Sequence, residues 1–219
     1  MPDLSEWSER MRLPRVGPVA ATLVLAGSLA VAPLAPAAAK EIRGTDGADQ
    51  LVGTAQRDVI DALGGADQVA ARGGHDDVSA GAGHDAVHGG PGDDRLRGRK
   101  GADVLLGGKG SDHLGFLESP IEGGGEPGHD ILRGGPGNDS LVGKGGGDIL
   151  RGGRGRENLV PGPGNDVVYG GPGNDTAYMG GPDGSRDVIR CGTGPDRIKY
   201  GGAVDPRDVI ISCEKVDVF

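Results

Sequence analysis

From position 51 one apolar residue returns at every ninth place: Leu51, Ile60, Val69, Val78, Val87, Leu96, Leu105 and Leu114, then, after one gap, Leu132, Leu141, Leu150, Leu159 and Val168. Each stands in the middle of a triplet, and each triplet follows a Gly-rich run that ends in Asp. Such a triplet predicts a short strand whose middle side chain turns inward while its flanks face water. Gln50, Asp77, Arg95, Arg97, His113 and Arg133 are flanking positions of this kind. The Gly-rich run predicts a sharp turn, because Gly accepts positive φ and close backbone approach. Residues 44–178 divide without remainder into fifteen units close to Gly-Gly-x-Gly-x-Asp-x-aliphatic-x, and Gly134 to Val142 and Gly170 to Tyr178 are clear copies. In thirteen of the fifteen the fourth position is Gly, in thirteen the sixth is Asp, and in thirteen the eighth is Val, Leu or Ile, so the frame is not accidental.

A fixed short period points to a solenoid. Two units make one coil of eighteen residues, and stacked coils give two parallel sheets enclosing a thin aliphatic ladder. The expected fold is all-β: a parallel β-roll, a β-helix-like solenoid of nine-residue Gly/Asp-rich repeats. Ile42, just ahead of the first unit, falls on the ladder position and is expected to start it. After Tyr178, Met179-Gly180-Gly181 shift the frame by three, and two further units follow. From Asp205 the pattern gives way to a β-rich, Cys-bearing tail, read as the C-terminal cap that an open solenoid end needs. The expected organisation is residues 1–39 as a signal peptide, 40–181 as the roll, and 182–219 as the last repeats and cap.

Two breaks fall inside the frame. Phe116 to Gly124 fills one unit in length but carries none of its signature residues. It is read as a decayed repeat that preserves register, the alternative being a surface bulge that exposes Phe116 and Leu117. Recurrence every eighteen residues then places Asp58, Asp76, Asp94, Asp112, Asp130, Asp148 and Asp166 along one edge. Asp49, Asp67, Asp85, Asp103, Ile121, Asp139, Glu157 and Asp175 fall along the other, which Ile121 interrupts.

Composition changes the picture in two ways. Gly supplies 46 of 219 residues and aromatics only 3%, which argues against an ordinary packed globule, and the absence of a Gly-x-y period excludes collagen. The formal charge of −9 argues against nucleic acid as a partner and makes cations the natural counterpart. Near the N-terminus, Arg10, Arg12 and Arg15 precede an apolar run from Val19 to Ala32 and the small residues Ala37-Ala38-Ala39. That is the layout of a secretory signal peptide, with cleavage expected after Ala39 and Ala37 as the alternative, and the run is too short and interrupted for a membrane span. Cys191 and Cys213 are the only cysteines, and export to an oxidising compartment makes a disulfide between them the expectation, against free thiols or an intermolecular bond.

One buried aliphatic side chain per unit does not offset the ordering of nine residues of backbone. Asp in the same place in every coil also stacks like charges. A bound cation removes both difficulties: Ca²⁺ takes 6–8 oxygens from carboxylates and backbone carbonyls, and a Gly-rich turn ending in Asp offers both kinds.

The unit resembles the nonapeptide of the repeats-in-toxin (RTX), or haemolysin-type, calcium-binding repeat proteins. That resemblance implies a parallel β-roll with several Ca²⁺ ions held between successive turns by the sixth-position aspartates and turn carbonyls. On this chain these are Asp49, Asp58, Asp67, Asp76, Asp85, Asp94, Asp103, Asp112, Asp130, Asp139, Asp148, Asp166 and Asp175, with Asp187 and Asp196 in the two later units. With a signal peptide and no effector domain, the chain is closer to the small secreted calcium-binding repeat proteins of high-GC Gram-positive bacteria than to the toxins.

His75, His84, His88, His113 and His129 fall on different edges and read as loop histidines rather than a zinc cluster. No His-Glu-x-x-His, Gly-x-Ser-x-Gly or phosphate-loop motif is present, and the repeating Asp has a structural use in every unit, so no enzymatic activity is expected. The expectation is a secreted, monomeric protein that folds on binding calcium. Its role is structural or adhesive at or outside the cell surface, where a glycan or protein is the partner. A passive extracellular calcium buffer, or an accessory module of a toxin or hydrolase, are the alternatives.

Overall fold

The computed structural model describes residues 39–115 and 127–219. The expected signal peptide, apart from Ala39, and the expected decayed unit Phe116 to Gly124 lie outside the described residues. Ten strands, from Glu41–Arg43 to Lys215–Val218, form one sheet, and nine, from Gln50–Val52 to Val209–Ile211, form a second; the chain passes from one to the other at each turn. Pairing is parallel throughout, and no described residue is helical. This is the parallel β-roll that the nine-residue period predicts.

The register is eighteen residues at the start: Ile42 pairs with Ile60 and Leu51 with Val69. Ile42 is buried and does open the ladder. The eighth-position side chains from Ile60 to Val168 have almost no exposure and form the core. A second inward row was not foreseen. Several strands run six residues, as in Asp77–Ala82 and Val167–Pro172, so the pleat brings the first position of the next unit inward again. Ala62, Ala71 and Ala80 fill that row early on, and Met179, Cys191 and Tyr200 fill it near the C-terminus, all buried.

The expected stacking order is corrected in the middle of the roll. Val104–Lys109 pairs with Ile131–Pro136, and His113–Leu114 with Ser140–Val142, so the register there is twenty-seven residues rather than eighteen. One nine-residue unit is left out of both sheets. The nine residues by which the register lengthens equal in length the one unit, Phe116 to Gly124, whose sequence lacks both the ladder aliphatic and the Gly-rich turn. Every unit beyond it sits on the opposite edge from the one that simple counting assigns.

Further on, Val167 pairs with Val188 and Val188 with Val209, a register of twenty-one. The three additional residues enlarge the turns at 179–187 and 200–208, which together border a cavity of about 280 Å³. The last coil returns to eighteen, Arg197 pairing with Lys215. The tail thus supplies the terminal strand of each sheet, and a disulfide between Cys191 and Cys213, with Cα atoms 5.1 Å apart, staples it to the preceding rung. Val218 and Phe219, at the end of the stack, are exposed.

Candidate metal sites

Two files of carboxylates run along the edges of the roll. The backbone N–H of each sixth-position residue donates to Oδ1 of its counterpart one coil on: Asp49 to Asp67 at 2.8 Å, Asp67 to Asp85 at 2.9 Å, and Asp85 to Asp103 at 2.9 Å. Across the omitted unit the relay continues from Asp103 to Asp130, then to Asp148, Asp166, Asp187 and Asp208. The second file runs from Asp58 through Asp76, Asp94 and Asp112 to Asp139. It resumes at Glu157 and passes through Asp175 and Asp196 to Glu214.

All fifteen aspartates singled out from the sequence stand in these files, but Asp130, Asp148 and Asp166 belong with Asp49 to Asp103, and Asp139 and Asp175 with Asp58 to Asp112. Ile121 interrupts neither file. Two members were missed. Asp208 and Glu214 hold sixth-position register in the tail, where Pro206 and Ser212 stand in place of the fourth-position Gly and the acid-x-aliphatic order of Asp208-Val209-Ile210 and Glu214-Lys215-Val216 is the sign that remains.

One oxygen of each pair is thereby satisfied; the other is not. In eleven aspartates, Asp67, Asp76, Asp85, Asp94, Asp103, Asp112, Asp139, Asp148, Asp166, Asp175 and Asp196, Oδ2 is shut off from water and has no hydrogen-bond partner. A buried carboxylate oxygen without a donor is costly unless a cation meets it. The first two units differ. Asp49 Oδ2 accepts from the N–H and hydroxyl of Thr45 at 2.6 and 2.9 Å, and Asp58 Oδ2 accepts from the N–H of Thr54 at 2.5 Å. Thr in the second position, found in these two units alone among the fifteen, is the only sequence sign of this.

Backbone carbonyls converge on the same oxygens. A methyl group on Gly89 would lie 2.4 Å from Asp94 Oδ2 and 2.8 Å from the carbonyl oxygen of Gly107; on Gly143, 2.5 Å from both Asp148 Oδ2 and the Pro161 carbonyl; on Gly170, 2.6 Å from Asp175 Oδ2 and 2.3 Å from the Cys191 carbonyl. In these three units the first-position Gly leaves open a recess walled by carboxylate and carbonyl oxygen. Among the described residues no three His, Cys, Asp or Glu side chains meet at one point. A cation here takes most of its ligands from the main chain, which suits a hard, oxygen-seeking ion with many ligands and not tetrahedral zinc. The residues present thus fit Ca²⁺.

Electrostatics agree with that fit. Burial, opposed by the donated N–H, pushes Asp103, Asp112, Asp166 and Asp187 up to about 7 and Asp76, Asp139 and Asp148 up to about 6; for most of them carboxylates of adjacent coils add to the rise. Glu157 is the exception in geometry. Its longer side chain leaves both oxygens buried and unpartnered, and burial together with crowding by Asp175, Asp139 and Asp196 drives its carboxyl well above the usual range. No carboxylate of the next coil receives the N–H of Asp139, the one step at which the relay fails among the described residues.

The fifth-position histidines have a plain use. Nδ1 of His75, His84 and His129 accepts a backbone N–H from the next coil, of Asp93, Ala102 and Gly147, at 3.0, 3.0 and 2.8 Å. They clamp neighbouring turns and do not gather round a metal.

The model of the RTX calcium-binding nonapeptide repeat matches the chain four times, over residues 43–78, 79–114, 124–156 and 160–181. The gap between the second and third copies falls on the unit that the sheets omit, and the break after 156 falls at Glu157. No curated protein matches the chain. With more than half of its length in these repeats and its carboxylates and carbonyls arranged to take Ca²⁺, the chain belongs to the family of RTX calcium-binding nonapeptide repeat proteins.

Proposed function

We propose that this is a secreted protein that folds on binding Ca²⁺ outside the cell and serves there as a structural or adhesive element, without catalysis of its own. The observation that carries this reading is the row of eleven buried aspartates, each with one oxygen lacking any partner. Such a row is hard to sustain without cations and well satisfied with them. In the loaded protein Ca²⁺ ions lie between successive coils, held by sixth-position carboxylates of the two files, Asp208 and Glu214 included, and by first-position carbonyls. The ion supplies positive charge that neutralises the stacked carboxylates and ties one coil to the next.

Ligand-linked folding stabilises by mass action, and extracellular calcium modules bind at roughly 10⁻⁴–10⁻³ M. Low cytosolic calcium would keep the chain open for export, and the medium would close it. Signal-like residues 1–39 and the disulfide favour an oxidising, external location. The test is a far-ultraviolet circular dichroism titration of the chain from Lys40 onward. A cooperative gain of β-structure in millimolar Ca²⁺ is expected, and a spectrum indifferent to Ca²⁺ overturns the reading.

A further inference from the structure

The outer faces of the two sheets are unlike. On the ten-stranded sheet, outward positions carry polar side chains and charges of both signs, with Asp77, Arg95, Asn158 and Arg197 among them. On the nine-stranded sheet, Val104, Ile131, Ile149, Val167, Val188 and Val209 occupy the seventh position of six successive rungs, each half-buried. Beside this stripe, the ninth position stacks Arg133, Arg151, Tyr169 and Arg190 on four successive rungs. The guanidinium carbons of Arg151 and Arg190 lie 5.1 and 5.7 Å from the centre of the Tyr169 ring.

Among the described residues none of these three arginines has an ion pair or a hydrogen bond, although the chain holds 32 acidic residues. Nε of Arg133 and Nη1 of Arg151 are closed off from water and lack an acceptor. Burial and the nearby Arg151 also lower the affinity of the Arg133 guanidinium for its proton. Arginine stems lying over aliphatic side chains account for the apolar half of this arrangement. They leave the two donors unexplained. Like charges one rung, about 4.8 Å, apart gain most from an anion set between them.

We propose that this row binds an extended acidic polysaccharide laid along the roll axis, its carboxylates or sulfates on Arg133, Arg151 and Arg190 and its sugar faces on Tyr169 and the aliphatic stripe. The row is one side chain wide and follows the stacking direction, which fits a linear chain rather than a globular partner. Its anchors recur at rung spacing, which suits a polymer with one charge per sugar or per pair of sugars. Nucleic acid, with its denser phosphates, would meet the acidic remainder of the molecule. A bilayer would need fully exposed apolar side chains, whereas these are half-buried. The inference rests on the adhesive reading above and names its ligand.

The test is affinity electrophoresis of the full secreted chain, in millimolar Ca²⁺, through gels containing polygalacturonate, heparin or neutral dextran. Three variants accompany it: Arg133→Gln/Arg151→Gln/Arg190→Gln, the charge-matched Arg43→Gln/Arg95→Gln/Arg197→Gln on the other sheet, and Tyr169→Ala. Circular dichroism and Ca²⁺ stoichiometry establish that each is folded and loaded. The expected result is retardation by an acidic polysaccharide and not by dextran. It should weaken about tenfold in the first variant, several-fold in Tyr169→Ala, and by less than about twofold in the charge-matched control. Equal loss in both triple variants, no retardation of the parent chain, or binding confined to phosphatidylglycerol vesicles each overturns the assignment. Binding to whole cells separates the two readings: cell binding that survives the first triple variant sinks this site but keeps the adhesive role, and absence of cell binding by the parent chain sinks the adhesive role itself.

Discussion

The N–H of Asp112 donates to Oδ1 of Asp139, twenty-seven residues further along the chain, at 2.8 Å. Asp103 and Asp130 are joined in the same way at the same distance. Both links skip one nine-residue unit, so deletion of residues 116–124 would leave Gly115 followed by Gly125-Glu126-Pro127-Gly128-His129-Asp130, an uninterrupted repeat. Calcium stoichiometry and the circular dichroism of this deletion should match the parent, with stability changed by less than about 1 kcal/mol, since shortening a connection between paired strands alters closure entropy only slightly. Loss of bound calcium in calorimetric titration would show that the segment is a rung after all.

Glu157 is one methylene too long for its file. Glu157→Asp should give the Asp139 N–H its acceptor and draw the carboxylate back into line with Asp139 and Asp175. We expect the metal-loaded protein to gain about 1.5–3 kcal/mol, the range for a restored hydrogen bond to a charged group, and to bind Ca²⁺ more tightly. Thermal unfolding in millimolar Ca²⁺ checks the first outcome and isothermal titration the second.

Metal-free and metal-loaded protein should answer oppositely to acid. Asp103, Asp112, Asp166 and Asp187 sit at about 7 in the fold, above the ordinary carboxylate value. The fold therefore favours their protonated form. Their stabilising contribution is complete below the unfolded value and is lost as pH rises through the folded one. Metal-stripped protein should hold more β-structure at pH 5 than at pH 8, which circular dichroism reads directly. With calcium present, protons compete for the same oxygens, so the calcium midpoint should move to higher concentration as pH falls over that window.

Reduction should loosen the C-terminal end first. The Cys191–Cys213 bridge spans a sequence separation of 22 and joins the last coil to its neighbour. Cys191→Ser/Cys213→Ser is expected to lower stability by about 3 kcal/mol in the chain-entropy account. Hydrogen exchange should show the added opening concentrated in Val209–Ile211 and Lys215–Val218. Uniform loss of protection along the roll would instead mean that the staple supports the whole stack.

The nine-residue spacing made the sheets, the ladder from Ile60 to Val168 and the fifteen aspartates legible, because each depends on a side chain at a fixed place in its own unit. Which units touch was not legible. Phe116 to Gly124 has the length of a repeat, and counting cannot tell a rung from a loop of equal length; only the twenty-seven-residue pairing does. The inward turn of Ala80 was hidden for a related reason, since its strand runs past the triplet into what reads as turn, and Ala62 and Ala71 are buried directly after theirs. Asp208 and Glu214 escaped because Pro206 and Ser212 replace the fourth-position Gly of their units while the backbone path is kept. Thr45 and Thr54 look like ordinary variation, yet their N–H groups satisfy the oxygens of Asp49 and Asp58 that other units leave bare.

The two carboxylate files make the protein's overall sign a function of its surroundings. At a formal −9, four divalent ions leave the molecule at about −1 and a fifth carries it to about +1, well before the files are filled. Residues 1–39 hold as many acidic as basic groups, so removing them does not move that crossing point. On the calcium-linked folding proposed above, an acidic chain in dilute calcium becomes a net-positive roll in concentrated calcium. Between the two lies a narrow band of loading in which the particle is electroneutral, least repelled by its own kind, and least soluble.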